Sequence, residues 1–114
     1  MSAIWFKDYT IDYLEGLRNA NMGEHIGIQF TELGADYLKG RMPVDKRTTQ
    51  PFGILHGGAS CVLSETLGSV SGWMTIDPEK YRAVGLELNI NHIRAVTKGY
   101  VIGICTPLHT GRRT

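Results

Sequence analysis

The side chains with the clearest capacity for chemistry lie between residues 50 and 69, and Glu65 is the most unusual of them. Its chain neighbours Val62, Leu63, Thr66 and Leu67 belong to a helical pattern that is otherwise apolar. Moving a carboxylate into apolar surroundings costs several kcal/mol unless it is paired, so this position needs a reason. Either Glu65 faces solvent or a cation of a neighbouring subunit, or it is a buried base or nucleophile.

His56, Gly57 and Gly58 stand where the same helix is predicted to begin. Glycine lets a ligand approach the backbone closely, and the first N–H groups of a helix have no partner within it. Those donors and the positive end of the helix dipole suit an oxyanion, although a flexible helix start is the other explanation. Ser69 follows Glu65 by one helical turn, which is close enough for a hydrogen bond to the carboxylate or to a water beside it.

The elements that must position these groups can be predicted from periodicity. A short amphipathic helix begins after Thr10, its capping residue, and extends to about Ala20. Apolar residues at spacings of three and four predict a long helix over residues 57–74. Strand-like segments cover residues 26–33, 37–44, 82–93 and 100–108. This order predicts an α+β fold in which an antiparallel β-sheet wraps around one long central helix.

Length and charge exclude several classes of protein. The chain has 114 residues, which predicts one domain. Its net charge of +1 provides no overall field that would attract nucleic acid or an anionic membrane. The first residues do not resemble a secretory signal and no apolar run is long enough to span a membrane, so we expect a cytoplasmic protein. Cys61 and Cys105 form neither a disulfide framework nor a metal-binding pair, and we expect them in the core.

Three segments, taken in order, resemble one family. They are TTQPFGILHGGASCVLSETLGS (48–69), VGLELNINHIR (84–94) and PLHTGR (107–112). Together they are similar to hotdog-fold acyl-CoA thioesterases of the 4-hydroxybenzoyl-CoA and phenylacetate-pathway branch. Within that branch the similarity is greatest to the small proteins that act on 1,4-dihydroxy-2-naphthoyl-CoA and related esters. The resemblance spans residues 22–112.

This resemblance implies hydrolysis of an acyl- or aryl-CoA thioester to the free acid and CoA. It makes Glu65 the nucleophile or general base and the Gly57 backbone N–H the oxyanion donor. It also gives Gln50 the task of orienting the carbonyl or the water, places His56 in the lining of the site, and has Ser69 position the water.

The resemblance assigns a further group of residues to the CoA part of the substrate. Val84 and Gly85 would follow the pantetheine arm, and the residues toward the nucleotide are His92, Arg94, His109, Gly111 and Arg112. Arginine suits phosphates because its donors are forked, whereas the alternative for these cations is a solvated surface. CoA belongs to the substrate, so the resemblance implies no separate cofactor and no metal.

The end of the chain differs from the family pattern. Family members continue past the PLHTGR segment with a further β-hairpin, whose strands lie between the segments 100–108 and 82–93. The chain ends at Thr114. We therefore predict that residues 1–114 are a single hotdog domain truncated at its C-terminus, with the last strands missing.

Helix geometry predicts that the site is shared between two subunits. Gly57 and Glu65 are eight residues apart on one helix, roughly 12 Å along its axis. An oxyanion donor and a nucleophile must both lie about 3 Å from the same thioester carbonyl. One helix cannot satisfy both conditions, so we expect at least a homodimer, and the resemblance implies that a homotetramer is common.

Two other functions stay open at this point. A hotdog hydratase or dehydratase uses a catalytic histidine paired with an acid, and His56 with Glu65 could be such a pair. A non-catalytic acyl-CoA-binding module is the second. The helix-start glycines and Gln50 favour the hydrolase over the first, and Glu65 and Ser69 argue against the second.

Overall fold

The computed structural model describes residues 2–114. Three helices and three strands follow one another along the chain, in the order α1 (Ile11–Gly16), α2 (Met22–His25), β1 (Gln29–Leu33), β2 (Leu38–Pro43), α3 (Gly57–Met74) and β3 (Tyr100–Cys105). Among the described residues, no helix combines the length and apolar character needed to cross a membrane.

The three strands form one antiparallel sheet in the order β1-β2-β3. β2 buries every second residue, namely Leu38, Gly40 and Met42, as expected for a strand with one face against a core. α3 packs on that face through Leu63 and Leu67. The core of buried apolar side chains therefore lies between α3 and the sheet.

A pair of glycines lets α3 approach the sheet closely. Gly40 of β2 and Gly103 of β3 are cross-strand partners, and Leu67 lies over both. A Cβ at Gly40 would lie 2.9 Å from Leu67 Cδ2, and one at Gly103 would lie 2.6 Å from Leu67 Cδ1. A side chain at either position would force Leu67 to move, because these distances are shorter than van der Waals contact.

Most of the predicted elements are confirmed. The fold is α+β with a sheet against one long helix, and α3 has the predicted bounds of 57–74. Thr10 caps α1 by accepting a hydrogen bond from the Tyr13 N–H at 3.2 Å, although α1 ends at Gly16 rather than near Ala20. α2 was not predicted, and β3 stops at Cys105.

The prediction of a strand over residues 82–93 is wrong. The segment is extended and exposed, and it pairs with no strand in the described part of the chain. Its alternating apolar residues resemble a strand, but a strand also needs a neighbour for its backbone groups. The segment instead runs alongside α3, with Gly85 beside Glu65 and His92 beside Gly57.

Candidate active site

Glu65 lies on the face of α3 that points away from the sheet. The buried residues of the helix include Leu63 and Leu67, and Glu65 is two positions from each. At about 100° per residue, two positions place a side chain on the opposite side of a helix. Glu65 is accordingly exposed, so the expectation of a buried carboxylate is wrong for the single chain. Its neighbours on this face are small: Ser64, Gly68, Ser69 and Gly72.

The Glu65 carboxylate has two close neighbours. Ser69 Oγ donates a hydrogen bond to Glu65 Oε1 at 2.8 Å, across one turn of the helix as predicted. Gly85 of the extended segment lies so near that a Cβ there would be 2.6 Å from Oε1. The absence of a side chain at Gly85 therefore keeps the space around the carboxylate open.

The start of α3 forms a second group. His56 is the N-cap residue, and its Nδ1 accepts a hydrogen bond from the Gly58 N–H at 2.8 Å. The proton of the neutral ring therefore belongs on Nε2. The Gly57 N–H has no hydrogen-bond partner among residues 2–114, which leaves it available to an oxyanion. His92 lies beside it, since a Cβ at Gly57 would be 2.9 Å from His92 Nε2.

The loop that leads into α3 is held by its own hydrogen bonds. The buried Thr48 hydroxyl donates to Pro43 O at 2.7 Å. Hydrogen bonds from the Arg47 side chain, and then from its backbone N–H, lower the pKa of the Asp45 carboxyl. This loop delivers Gln50 to the start of α3.

Gln50 is engaged within a turn. Its Oε1 accepts a hydrogen bond from the Phe52 N–H, and its backbone N–H donates to Ile54 O at 2.9 Å. Phe52, at the tip of that turn, is 87% exposed. The turn does not use the NH₂ group of the Gln50 side chain. This group lies at the same end of α3 as Gly57.

The predicted catalytic residues thus form two groups rather than one. Along α3, Glu65 lies roughly 12 Å beyond Gly57 and Ser69 roughly 18 Å beyond it. Within one chain the structure brings Gly57 together with His56 and His92, but it does not bring Glu65 to them.

The residues predicted to meet the CoA nucleotide are also divided. Arg94 precedes β3, whereas His109, Gly111 and Arg112 follow it, and all are exposed. A strand of six residues such as β3 spans roughly 17 Å. The Gly111 N–H donates to Thr114 O at 2.8 Å, which makes a turn near the end of the chain. Val84 lies beside Gly85 in the segment next to Glu65.

Two cavities meet at Glu65 and Ser69. The first, of about 280 Å³, lies between α3 and the extended segment, with Gly68, Gly85 and Leu88 in its walls. The second, of about 340 Å³, lies on the other side, between α3 and the region of α1 and α2. Glu65 and Ser69 line both cavities. The second cavity was missed from the sequence, because its other walls come from residues 17–30, far along the chain from Glu65 and Ser69.

Comparison with known proteins assigns the family. The model of the family described as the thioesterase superfamily matches residues 52–114, more than half of the chain. The chain belongs to the thioesterase superfamily. It is 47% identical over 110 residues to the 1,4-dihydroxy-2-naphthoyl-CoA hydrolase of Escherichia coli (strain K12). The aligned region covers 96% of this chain and 80% of that protein. It is 48% identical over 111 residues to the proofreading thioesterase EntH of Cronobacter turicensis, covering 97% and 80% respectively.

Solved structures of superfamily members confirm the hotdog fold. The Pseudomonas aeruginosa thioesterase PA1618, solved as a mutant, superposes with a TM-score of 0.94 at 39% identity, covering 96% of this chain and 79% of that one. The Haemophilus influenzae thioesterase HI1161 gives a TM-score of 0.91 at 42% identity, covering 96% and 76%. The family and the enzyme class predicted from the three sequence segments are therefore confirmed: this thioesterase is a thioester hydrolase.

Proposed function

We propose that this thioesterase hydrolyses acyl- or aryl-CoA esters to the free acid and CoA, with Glu65 as nucleophile or general base. The observation that carries the proposal is the position of Glu65. Its carboxylate stands on the small, polar face of α3, accepts a hydrogen bond from Ser69 and lies between two cavities. The E. coli relative bears the name of a hydrolase of an aryl-CoA ester, which supports the substrate class.

Two routes lead from this carboxylate to the same products. As a nucleophile, Glu65 attacks the carbonyl carbon, the CoA thiolate leaves, and water hydrolyses the resulting anhydride. As a general base, Glu65 takes a proton from water while the water oxygen attacks the carbonyl carbon, and the CoA thiolate then leaves. In both routes the Ser69 hydroxyl fixes one carboxylate oxygen and so orients the other.

The negative charge on the carbonyl oxygen needs donors, and the unpaired Gly57 N–H at the positive end of α3 suits that task. We place the side-chain NH₂ of Gln50 and the exposed edge of His56 beside it. Because roughly 12 Å separates Gly57 from Glu65 along α3, the two groups that serve one carbonyl come from different subunits.

A homodimer is the smallest assembly that completes such a site. Nothing lies within 4 Å of where a Cβ would stand at Gly68 or Gly72, so a second α3 could approach this face closely. Val84, Leu86 and Ile93 are at least 88% exposed, and the dimer would cover part of this apolar surface.

A second apolar surface supports further assembly into a homotetramer. Ile102 and Ile104 of β3 are more than 60% exposed on the side of the sheet opposite α3. This surface is separate from the one beside α3, so both could be covered at once.

For the CoA moiety we propose two regions. Val84 and Gly85, next to the carboxylate, take the pantetheine arm. His92 and Arg94 from one subunit, with His109, Gly111 and Arg112 from another, take the phosphates and the nucleotide, which accounts for their separation in the single chain. The reaction needs no cofactor or metal, because the carboxylate, the backbone N–H and the hydroxyl supply its acid–base and electrostatic components.

We place the enzyme in the cytoplasm. Its two cysteines, Cys61 and Cys105, are free thiols, which is the state that a reducing compartment maintains. Fractionation of cells with an activity assay would test this assignment.

The structure gives no support to a histidine–acid pair within one chain. His56 uses Nδ1 to cap α3, and eight residues lie between it and Glu65 in the chain. In the proposed dimer the Glu65 of one subunit would stand near the His56 of the other, so product analysis distinguishes hydrolysis from hydration.

The test is release of free thiol from a panel of esters: acetyl-, octanoyl-, palmitoyl- and benzoyl-CoA. We expect thiol release by the wild type and a loss of more than about 1,000-fold in kcat for Glu65→Gln, with CoA-ester binding retained. Glu79→Gln, an exposed acid outside both cavities, is the matched control and should keep full activity. Loss of an enoyl-CoA absorbance without thiol release would indicate hydration instead, and binding without turnover would indicate a binding module.

A further inference from the structure

Thr48 is buried in the loop between β2 and α3, although the residues beside it in the chain are exposed or half-buried. It is 1% exposed, and its hydroxyl is hydrogen-bonded both as a donor and as an acceptor. The hydroxyl donates to Pro43 O at 2.7 Å and accepts from the Asp45 N–H at 3.1 Å. Because Pro43 is the last residue of β2, these hydrogen bonds fasten the loop to the end of a core strand.

The backbone of Thr48 is tied to the start of α3. Thr48 O accepts a hydrogen bond from the His56 N–H at 2.8 Å, and the Gln50 N–H donates to Ile54 O at 2.9 Å. Between these two bonds, the intervening residues form an antiparallel bridge. The two arms of the loop thus make a short ladder, with Thr48 and His56 at its base and Gln50 near its turn. The position of Thr48 therefore determines where Gln50 and the N-cap of α3 lie.

No other side chain of this loop is hydrogen-bonded to a strand in the part of the chain that the structure describes. The Arg47 guanidinium bonds to Asp45 at 2.7 Å, and Gln50 Oε1 accepts from the Phe52 N–H, so both contacts stay within the loop. Removing a buried hydroxyl leaves its partners unpaired, and the backbone then shifts to satisfy them. Within residues 2–114, the Thr48 hydroxyl is thus the side-chain link between the sheet and the ladder.

We infer that Thr48 is a positioning residue for the donors that face the thioester carbonyl. This inference rests on the proposed function, in which the Gly57 N–H and the Gln50 NH₂ hold the carbonyl oxygen. Thr48 touches no reacting atom. Its hydroxyl joins the ladder to β2, and its carbonyl holds the N-cap next to Gly57. Without the hydroxyl, the ladder and the first turn of α3 can shift while Glu65, more than two turns further along, stays in place. A misplacement of about 1 Å can lower a rate by about 100-fold.

The test compares substitutions of Thr48 with the same substitution of a second threonine. Thr75 is half-buried at the other end of α3 and its hydroxyl donates to Gly72 O at 2.7 Å, so Thr75→Val is the matched control. For the ester that the wild type hydrolyses fastest, we expect Thr48→Val to lower kcat by about 10-fold or more. KM should stay within about 3-fold, because the donors act on charge that develops in the transition state. Thr48→Ser keeps the hydroxyl and should stay within about 3-fold of the wild-type kcat, and Thr75→Val within about 2-fold.

Two further variants make the test independent of stability, and all assays are run well below the melting temperature of every variant. Thr48→Cys has a weak donor in place of the hydroxyl and should give a kcat between those of the serine and valine variants. It replaces the valine variant throughout if that variant does not fold. Combining Thr48→Val with Gln50→Ala should cost less than the product of the two single losses, because both act on the same donor.

The inference is overturned by a wild-type kcat in Thr48→Val, by equal losses for Thr48→Ser and Thr48→Val, or by an equal loss for Thr75→Val. Losses that multiply when Gln50→Ala is added also overturn it. Absence of thiol release by the wild type with every ester would instead overturn the proposed function.

Discussion

Ser69 Oγ donates a hydrogen bond to Glu65 Oε1 at 2.8 Å, so one turn of α3 joins a carboxylate and a hydroxyl on its exposed face. The bond occupies one oxygen of the carboxylate and leaves the other to the substrate or to water. Because both side chains are exposed in the single chain, their contribution to folding is small.

Replacing Ser69 should therefore affect catalysis more than stability. We expect Ser69→Ala to lower kcat by about 10- to 100-fold, with little change in KM, because the carboxylate loses its fixed orientation. Ser69→Thr keeps the hydroxyl and should restore much of the activity. The melting temperature should change little in both variants. Equal losses for the alanine and threonine variants would show that the hydroxyl has no positioning role.

Gly85 offers a test of how much space the carboxylate requires. A Cβ at this position would lie 2.6 Å from Glu65 Oε1, so Gly85→Ala must move either the segment or the carboxylate. We expect kcat to fall by about 10-fold or more while the protein stays folded. Gly16→Ala is the matched control, because nothing lies within 4 Å of a Cβ there. Wild-type turnover by Gly85→Ala would mean that the segment does not stay beside Glu65 in the active enzyme.

The proposed phosphate contacts predict a split between kcat and KM. Arg94→Ala and Arg112→Ala should raise KM for CoA esters more than they lower kcat, because the phosphates lie far from the reacting carbon. The wild-type KM should rise with salt, which screens exposed charges. Acyl-pantetheine lacks the nucleotide and should be hydrolysed equally well by wild type and variants. If the substitutions impair hydrolysis of acyl-pantetheine as much as hydrolysis of acyl-CoA, these arginines have another role.

A mixture of two inactive variants can reveal whether subunits share the site. Glu65→Ala removes the carboxylate. Gly57→Pro removes the N–H, and proline is tolerated at the first position of a helix. His56, with ψ of 127°, already has the backbone conformation that a following proline requires.

Each hybrid dimer should contain one intact site and one doubly defective site. After random exchange of equal amounts, about half of the dimers are hybrids, so about one quarter of the wild-type activity should return. Native mass spectrometry can confirm that exchange has occurred. Proven exchange without recovered activity would show that each subunit carries a complete site.

The parts of the structure predicted correctly from the sequence depend on local patterns. α3 has the predicted bounds because its apolar residues recur at helical spacing, and the Ser69–Glu65 bond follows from their separation of one turn. α2 was missed, although Asn21 followed by Glu24 three positions later is a signal for a helix start.

The errors concern relations between distant parts of the chain. The alternation in residues 82–93 predicts a strand, but pairing depends on a neighbouring strand that the alternation itself does not specify. The exposure of Glu65 depends on which side of α3 meets the sheet, and that is decided by Leu63 and Leu67 together. The second cavity depends on side chains from residues 17–30 meeting α3, and no local pattern specifies that meeting.

The glycine pair beneath α3 also restricts how the sheet can be assembled. A shift of β3 by two residues along β2 would preserve the inward and outward directions of its side chains. It would, however, place Val101 or Cys105 opposite Gly40, directly under Leu67, where the present spacing has no room for a side chain. Leu67 would then have to leave its place over β2 and β3, and the contact of α3 with the sheet would change. The strand register and the packing of α3 are thus coupled, because only the present register places two glycines under Leu67.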